Sequence, residues 1–162
     1  MSKCRMVALT LLLTTGCTPA PATPPLAGAW RSAIQFSSGP FAAMKGLEFM
    51  YVFNAGGTLT ESSNYDEAPP VPPAYGVWRE VAPNQFEAKY QFYVTLLPAR
   101  FEDLSGGGGW QPGGRGELLE KIRLSVDGKS FDSEMTYAGF DSTGKAAGGE
   151  FRATGHGVRI GF

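Results

Sequence analysis

The sequence predicts an all-β fold, an antiparallel up-and-down barrel of about eight strands. Three observations carry this reading. Apolar and polar residues alternate with period two along several segments, as they do in strands with one buried face. The 22 glycines and 12 prolines interrupt the chain about every ten to fifteen residues, where turns between short strands fall. Capped segments with helical periodicity are almost absent.

The elements follow in order. The first strand is Gly28–Phe36 and the second Leu47–Phe53, with Phe49, Tyr51 and Phe53 on one face. Asn54-Ala-Gly-Gly57 turns the chain into a third strand, Thr58–Ser63. The fourth is Tyr75–Val81; its apolar parity is Tyr75, Val77 and Val81, which puts Arg79 on the inner face. Ala82-Pro83-Asn84 leads into Gln85–Leu96, the clearest alternation, where Phe86, Ala88, Tyr90, Phe92 and Val94 oppose Glu87, Lys89, Gln91 and Tyr93. In the sixth, Glu117–Val126, Leu118, Ile122, Leu124 and Val126 oppose Glu117, Lys121, Arg123 and Ser125, and Glu120 falls on the apolar parity. Asp127-Gly128 is a strong hairpin signal and leads to Ser130–Phe140, with Phe131, Met135 and Tyr137 inward. The last strand, Glu150–Ile160, follows Asp141-Ser-Thr-Gly144 and carries Phe151, Ala153, Gly155, Gly157 and Arg159 on one parity and His156 on the other. Short turns make consecutive strands neighbours, and closure hides the two remaining edges. Two connections are longer, Asn64–Ala74 and Pro98–Arg115; the glycine run in the second reads as a flexible loop with Trp110 as a candidate lid.

Ahead of this body lies a different kind of sequence. Lys3 and Arg5 precede a short apolar run, Met6 to Leu13, too short to span a bilayer. Thr14-Thr-Gly-Cys17 follows. The pattern resembles a bacterial lipoprotein signal, which implies removal of residues 1–16 and acylation of Cys17, although Thr14 stands where such signals carry Leu, Val or Ile. Ala20-Pro-Ala22 offers the alternative of ordinary secretory cleavage and a soluble secreted protein. Residues 17–25, rich in proline, alanine and threonine, read as an extended tether, and 26–162 as the barrel domain.

Removal of the signal leaves about 145 residues, one domain by length. Loss of Lys3 and Arg5 takes 14 basic residues to 12, against 15 acidic ones, a net charge of −3. With no basic block, nucleic acid is not an expected partner. Processing removes Cys4 and acylation occupies Cys17, so neither a disulfide nor a cysteine metal site is expected.

Leu26-Ala-Gly28-Ala-Trp30 resembles the Gly-x-Trp signature of the lipocalin and wider calycin group, and Gly157-Val-Arg159-Ile160 resembles the arginine of its last strand. Between them, Phe53-Asn-Ala-Gly-Gly-Thr58, Ser63-Asn64, Asp66 and Gly76-Val-Trp78 resemble small bacterial lipocalin-like proteins of undefined role. The resemblance implies an eight-stranded barrel closed at one end by Arg159 packed across Trp30. Lipocalins usually add a helix after the barrel, and none is evident before Phe162.

The residues offer no catalytic constellation. His156, the single histidine, reads as a surface residue, and one histidine without thiols makes a poor metal site. No cofactor is expected. Asn64 and Asp66 read as turn formers. The candidate ligand cavity is lined by Phe49, Tyr51, Arg79, Tyr90, Phe92, Glu120 and Tyr137; an inward Glu120 needs a partner, for which Arg79 is one candidate, the alternatives being a bulge that turns one of the two to solvent or an ordinary structural ion pair. The leading expectation is a monomeric, membrane-anchored lipoprotein facing the periplasm that binds a small hydrophobic or amphipathic molecule. The alternatives are a small barrel enzyme of isomerase or cyclase type and a filled barrel serving as an envelope interaction module.

Overall fold

The computed structural model describes residues 24–65, 72–100, 102–105 and 109–162. The signal-like segment, Cys17, most of the tether and Asp66 lie outside them. Eight strands form the fold: β1 (Gly28–Phe36), β2 (Leu47–Phe53), β3 (Thr58–Ser63), β4 (Ala74–Ala82), β5 (Gln85–Leu96), β6 (Gln111–Leu124), β7 (Ser130–Phe140) and β8 (Phe151–Arg159). Each pairs antiparallel with the next, and β8 pairs with β1 to close the barrel. A single helical turn, α1 (Glu102–Ser105), sits in the long connection between β5 and β6.

The turn chemistry explains the connections at one end. Gly57 and Gly128 take positive φ (82° and 69°), and Asn84 is the non-glycine residue that does so, at 59°. Asn tolerates this region because its short polar side chain costs little there. These tight turns, together with Gly28 and Arg159, gather at one end of the barrel, here the floor. The described parts of the longer connections, 37–46, 64–65 with 72–73, 97–100 with 102–105 and 109–110, and 141–150, gather at the other end, the mouth.

Inward side chains of alternate residues fill the lower half. Trp30 packs on Phe131 with ring centroids 5.1 Å apart, and Tyr51 stacks on Phe53 at 5.3 Å. Trp78 bridges Phe53 and Phe86 at 5.9 and 5.7 Å. Eight strands enclose a space that side chains can fill, and in this half they do. Gly155 and Gly157 leave no open space beside the last strand. A Cβ at Gly157 would collide with the Phe131 ring, and one at Gly155 would meet Ser133 Oγ at 2.6 Å and Met135 Cε at 2.8 Å. The glycines make room for their neighbours.

Three expectations are corrected. In β4 the buried parity is Ala74 and Trp78, with Gly76 between them, whereas Tyr75, Val77 and Val81 face outward. A Cβ at Gly76 would collide with the β5 backbone at Lys89, so this wall needs glycine. Arg79 therefore points out of the barrel. Val126 belongs to the β6–β7 turn and is fully exposed. β6 begins at Gln111 instead of Glu117, so the last part of the glycine-rich connection is strand, with a register shift opposite Val94 and Thr95. Gly114 sits there at φ 118°, where a Cβ would collide with the Phe140 carbonyl.

Candidate functional site

The floor is a closure. Trp30 and Arg159 are register partners on β1 and β8. The Arg159 guanidinium lies 4.1 Å from the Trp30 ring centroid. It also donates to the carbonyls of Gly128 (2.9 Å), Ala27 (2.8 Å) and Pro25. Trp30 Nε1 donates to the Leu26 carbonyl at 2.9 Å. One side chain thus joins the segment before β1, the β6–β7 turn and the floor indole, and its charge is satisfied by carbonyls and a ring face.

The mouth is different. A cavity of about 400 Å³ opens among the strand ends and the long connections. Its apolar wall includes Phe36, Leu47, Phe49, Phe92, Leu118 and Tyr137. Aromatic contacts brace the rim. Phe92 and Tyr137 stack at 6.3 Å, Tyr137 and Phe151 at 5.8 Å, and Phe41 stands edge-on to Tyr65 at 5.4 Å. A volume in this range with an aromatic wall is typical of small-ligand sites.

Beneath the apolar mouth lies a polar layer. Glu61 on β3 lines the cavity and is 5% exposed, and Glu120 on β6 lies deeper at 1%. Tyr51 on β2 and Tyr90 on β5 meet across the interior, hydroxyl to hydroxyl, at 3.3 Å. Tyr90 donates to Glu120 Oε2 at 2.9 Å. Ser32 on β1 and Ser133 on β7 complete the layer. Ser32 Oγ and Glu61 Oε1 have no hydrogen-bond partner, whereas the Ser133 and Tyr51 hydroxyls approach Glu120 closely enough to favour its anion. The buried polar or charged residues among those described are these two serines and two glutamates, and none is a cation.

Burial governs the electrostatics. It pushes Glu61 up to about 8, with the neighbouring Glu120 charge adding to the rise. It pushes Glu120 up to about 7, while the Ser133, Tyr90 and Tyr51 hydroxyls favour its anion and hold it lower than burial alone would. Tyr51 and Tyr90 are raised well above the usual phenol value, first by burial and then by Glu120. Near neutral pH these two carboxyls therefore retain protons that an exposed glutamate would have lost.

The structure brings Phe49, Tyr51, Tyr90, Phe92, Glu120 and Tyr137 to the interior or the mouth. It does not bring Arg79 there. Arg79 is 75% exposed and pairs with Glu87 on the outer face at 2.8 Å, so Tyr90, not Arg79, is the partner of Glu120. Sequence reasoning missed Glu61, whose signal was its shared parity with Leu59 on β3. It also missed Ser32 and Ser133, which lie on apolar parities beside Trp30 and Phe131. His156 is outside the barrel, 2.7 Å from Asp132. Asn64 ties two mouth connections together through Glu48 N and the Gly46 carbonyl. Trp110 is half-buried. Among the described residues no group of His, Cys, Asp and Glu converges to hold a metal ion, and no helix is long and apolar enough to cross a membrane. Comparison with protein-family models and with curated proteins found no match to this chain.

Proposed function

We propose that the protein is a lipocalin-like barrel, held at a membrane through Cys17 and facing the periplasm, that binds a small apolar or amphipathic molecule in its mouth. The observation that carries the binding reading is the division of the interior. The floor half is packed with aromatic rings, and the mouth half holds a 400 Å³ aromatic-walled cavity. A ligand there would bury apolar surface at ~25 cal/mol per Å². The lipocalin likeness rests on Gly28, Trp30 and Arg159, which meet at the floor as that family's residues do. The protein acts as a monomer and without nucleic acid in this reading.

Titration with N-phenyl-1-naphthylamine, a neutral apolar fluorophore, tests the binding. Saturable enhancement should occur at one site and be lost in Ser63→Trp, which fills the cavity from its β3 wall. Enhancement that survives this substitution would place the dye elsewhere and contradict the reading. For the anchor, Cys17→Ser should move the protein from the membrane to the soluble fraction; continued fractionation with membranes would contradict it.

The other two readings have less support. The isomerase or cyclase reading loses its proposed polar pair, because Arg79 faces outward while Glu120 is buried. A filled interaction module would draw on the outward face of Tyr75 and Val77, 67% and 59% exposed. The open mouth favours the container.

A further inference from the structure

The two glutamates beneath the mouth specify more than an apolar guest. A buried carboxyl without a partner is costly, and barrel interiors that only need filling use apolar side chains. Here Glu61 borders the cavity with Oε1 unpaired, and Glu120 stands behind it, held by the Tyr90, Ser133 and Tyr51 hydroxyls. Tyr51 and Tyr90 fix the deeper carboxyl from β2 and β5. The remaining polar groups of the layer, Ser32 from β1 and Ser133 from β7, are uncharged. Among the described residues no basic side chain is buried with the pair, and the ion pairs on β4, β5 and β6, Arg79–Glu87 and Lys89–Glu117, lie on the outer face.

Resting on the binding reading above, we infer that the ligand is an amphipathic primary amine, whose ammonium head seats against Glu61, with the Glu120 carboxyl behind it, while its hydrocarbon part lies among Phe49, Phe92, Leu118 and Tyr137. An ammonium carries three donors and no acceptor, and the layer offers the unpaired carboxyl oxygen of Glu61. A fatty acid would bring a third carboxyl to two that already repel. A phospholipid headgroup amine brings an anionic phosphate with it, so a free amine is favoured over that source. Both carboxyls titrate near neutral pH, and an arriving ammonium stabilises their anions, so binding expels protons.

The test is competition against N-phenyl-1-naphthylamine on the full-length protein at pH 7, with decylamine, decanol, decanoate and lysophosphatidylethanolamine. Decylamine should bind about tenfold or more tighter than decanol, with decanoate weakest. Glu61→Gln and Glu120→Gln are each near-isosteric, so one serves if the other fails to fold. Either should bring decylamine toward decanol and leave decanol unchanged. Calorimetry in phosphate and in Tris should report proton release with decylamine and none with decanol. The inference is overturned if decylamine binds no tighter than decanol, if decanoate binds tightest, or if the preference survives both substitutions. Tighter binding of lysophosphatidylethanolamine than of decylamine would overturn the free amine in favour of a headgroup. Failure of every ligand, decanol included, would overturn the binding reading itself.

Discussion

Glu61 and Glu120 give the fold a pH dependence whose sign follows from burial. Each has a folded pKa above its unfolded value of about 4.5, reaching about 8 and about 7. Across that window the folded state binds more protons than the unfolded one, so stability falls as pH rises. The barrel is fully stabilised below about pH 4.5 with respect to these groups and loses that contribution by about pH 8. The difference is on the order of a few kcal/mol. Thermal melting should therefore show a lower Tm at pH 8.5 than at pH 5. Glu61→Gln should flatten the slope and raise Tm at pH 8.5, and an unchanged slope would refute the assignment. Tyr90→Phe acts in the opposite sense. It removes the donor to Glu120 Oε2, so the carboxyl rises further and its anion becomes more costly. Urea unfolding should show a loss of about 1–3 kcal/mol at pH 8, smaller at pH 5, with an unchanged m-value.

At the scale of elements, most strand limits were legible because alternation and turn residues agree. β1, β2, β3, β5 and β7 run between the residues their patterns suggest. β4 shows what alternation cannot settle. Both of its faces carry apolar residues, and Tyr75, Val77 and Val81 look like the greasier one. The chain buries the other because Trp78 fits between Phe53 and Phe86 and Gly76 lets β5 approach. That choice depends on neighbours distant in sequence, and it carries Arg79 outward. The acid layer was half legible for the same reason. Glu120 stands out inside a long apolar alternation, whereas Glu61 lies in a short polar strand where Leu59 is the single apolar cue. The start of β6 was hidden because glycine carries no pattern. Floor closure gives a direct prediction. Arg159→Met keeps the stem but loses the cation–π contact and the bonds to Pro25, Ala27 and Gly128. It should cost about 2–4 kcal/mol in urea unfolding. Hydrogen exchange should quicken at Ile160, whose amide bonds to Ala29 beside the floor. Gly157→Ala should cost about 1–3 kcal/mol through its collision with Phe131.

The whole molecule is a barrel of two halves, and its function reads from the boundary between them. Aromatic packing makes the floor half a rigid support. The mouth half trades packing for volume, and the acid layer lies where the two meet. The signal-like N-terminus and tether place this container at a membrane in the reading proposed here. The central claim, that the mouth is the binding site, is tested most directly by an NMR titration of the protein with decanol. Saturable shifts should appear at Phe49, Leu118 and Tyr137 in the mouth, while Trp30 and Phe131 at the floor stay fixed. Shifts confined to the outward face around Tyr75 and Val77, or none at all, would contradict it.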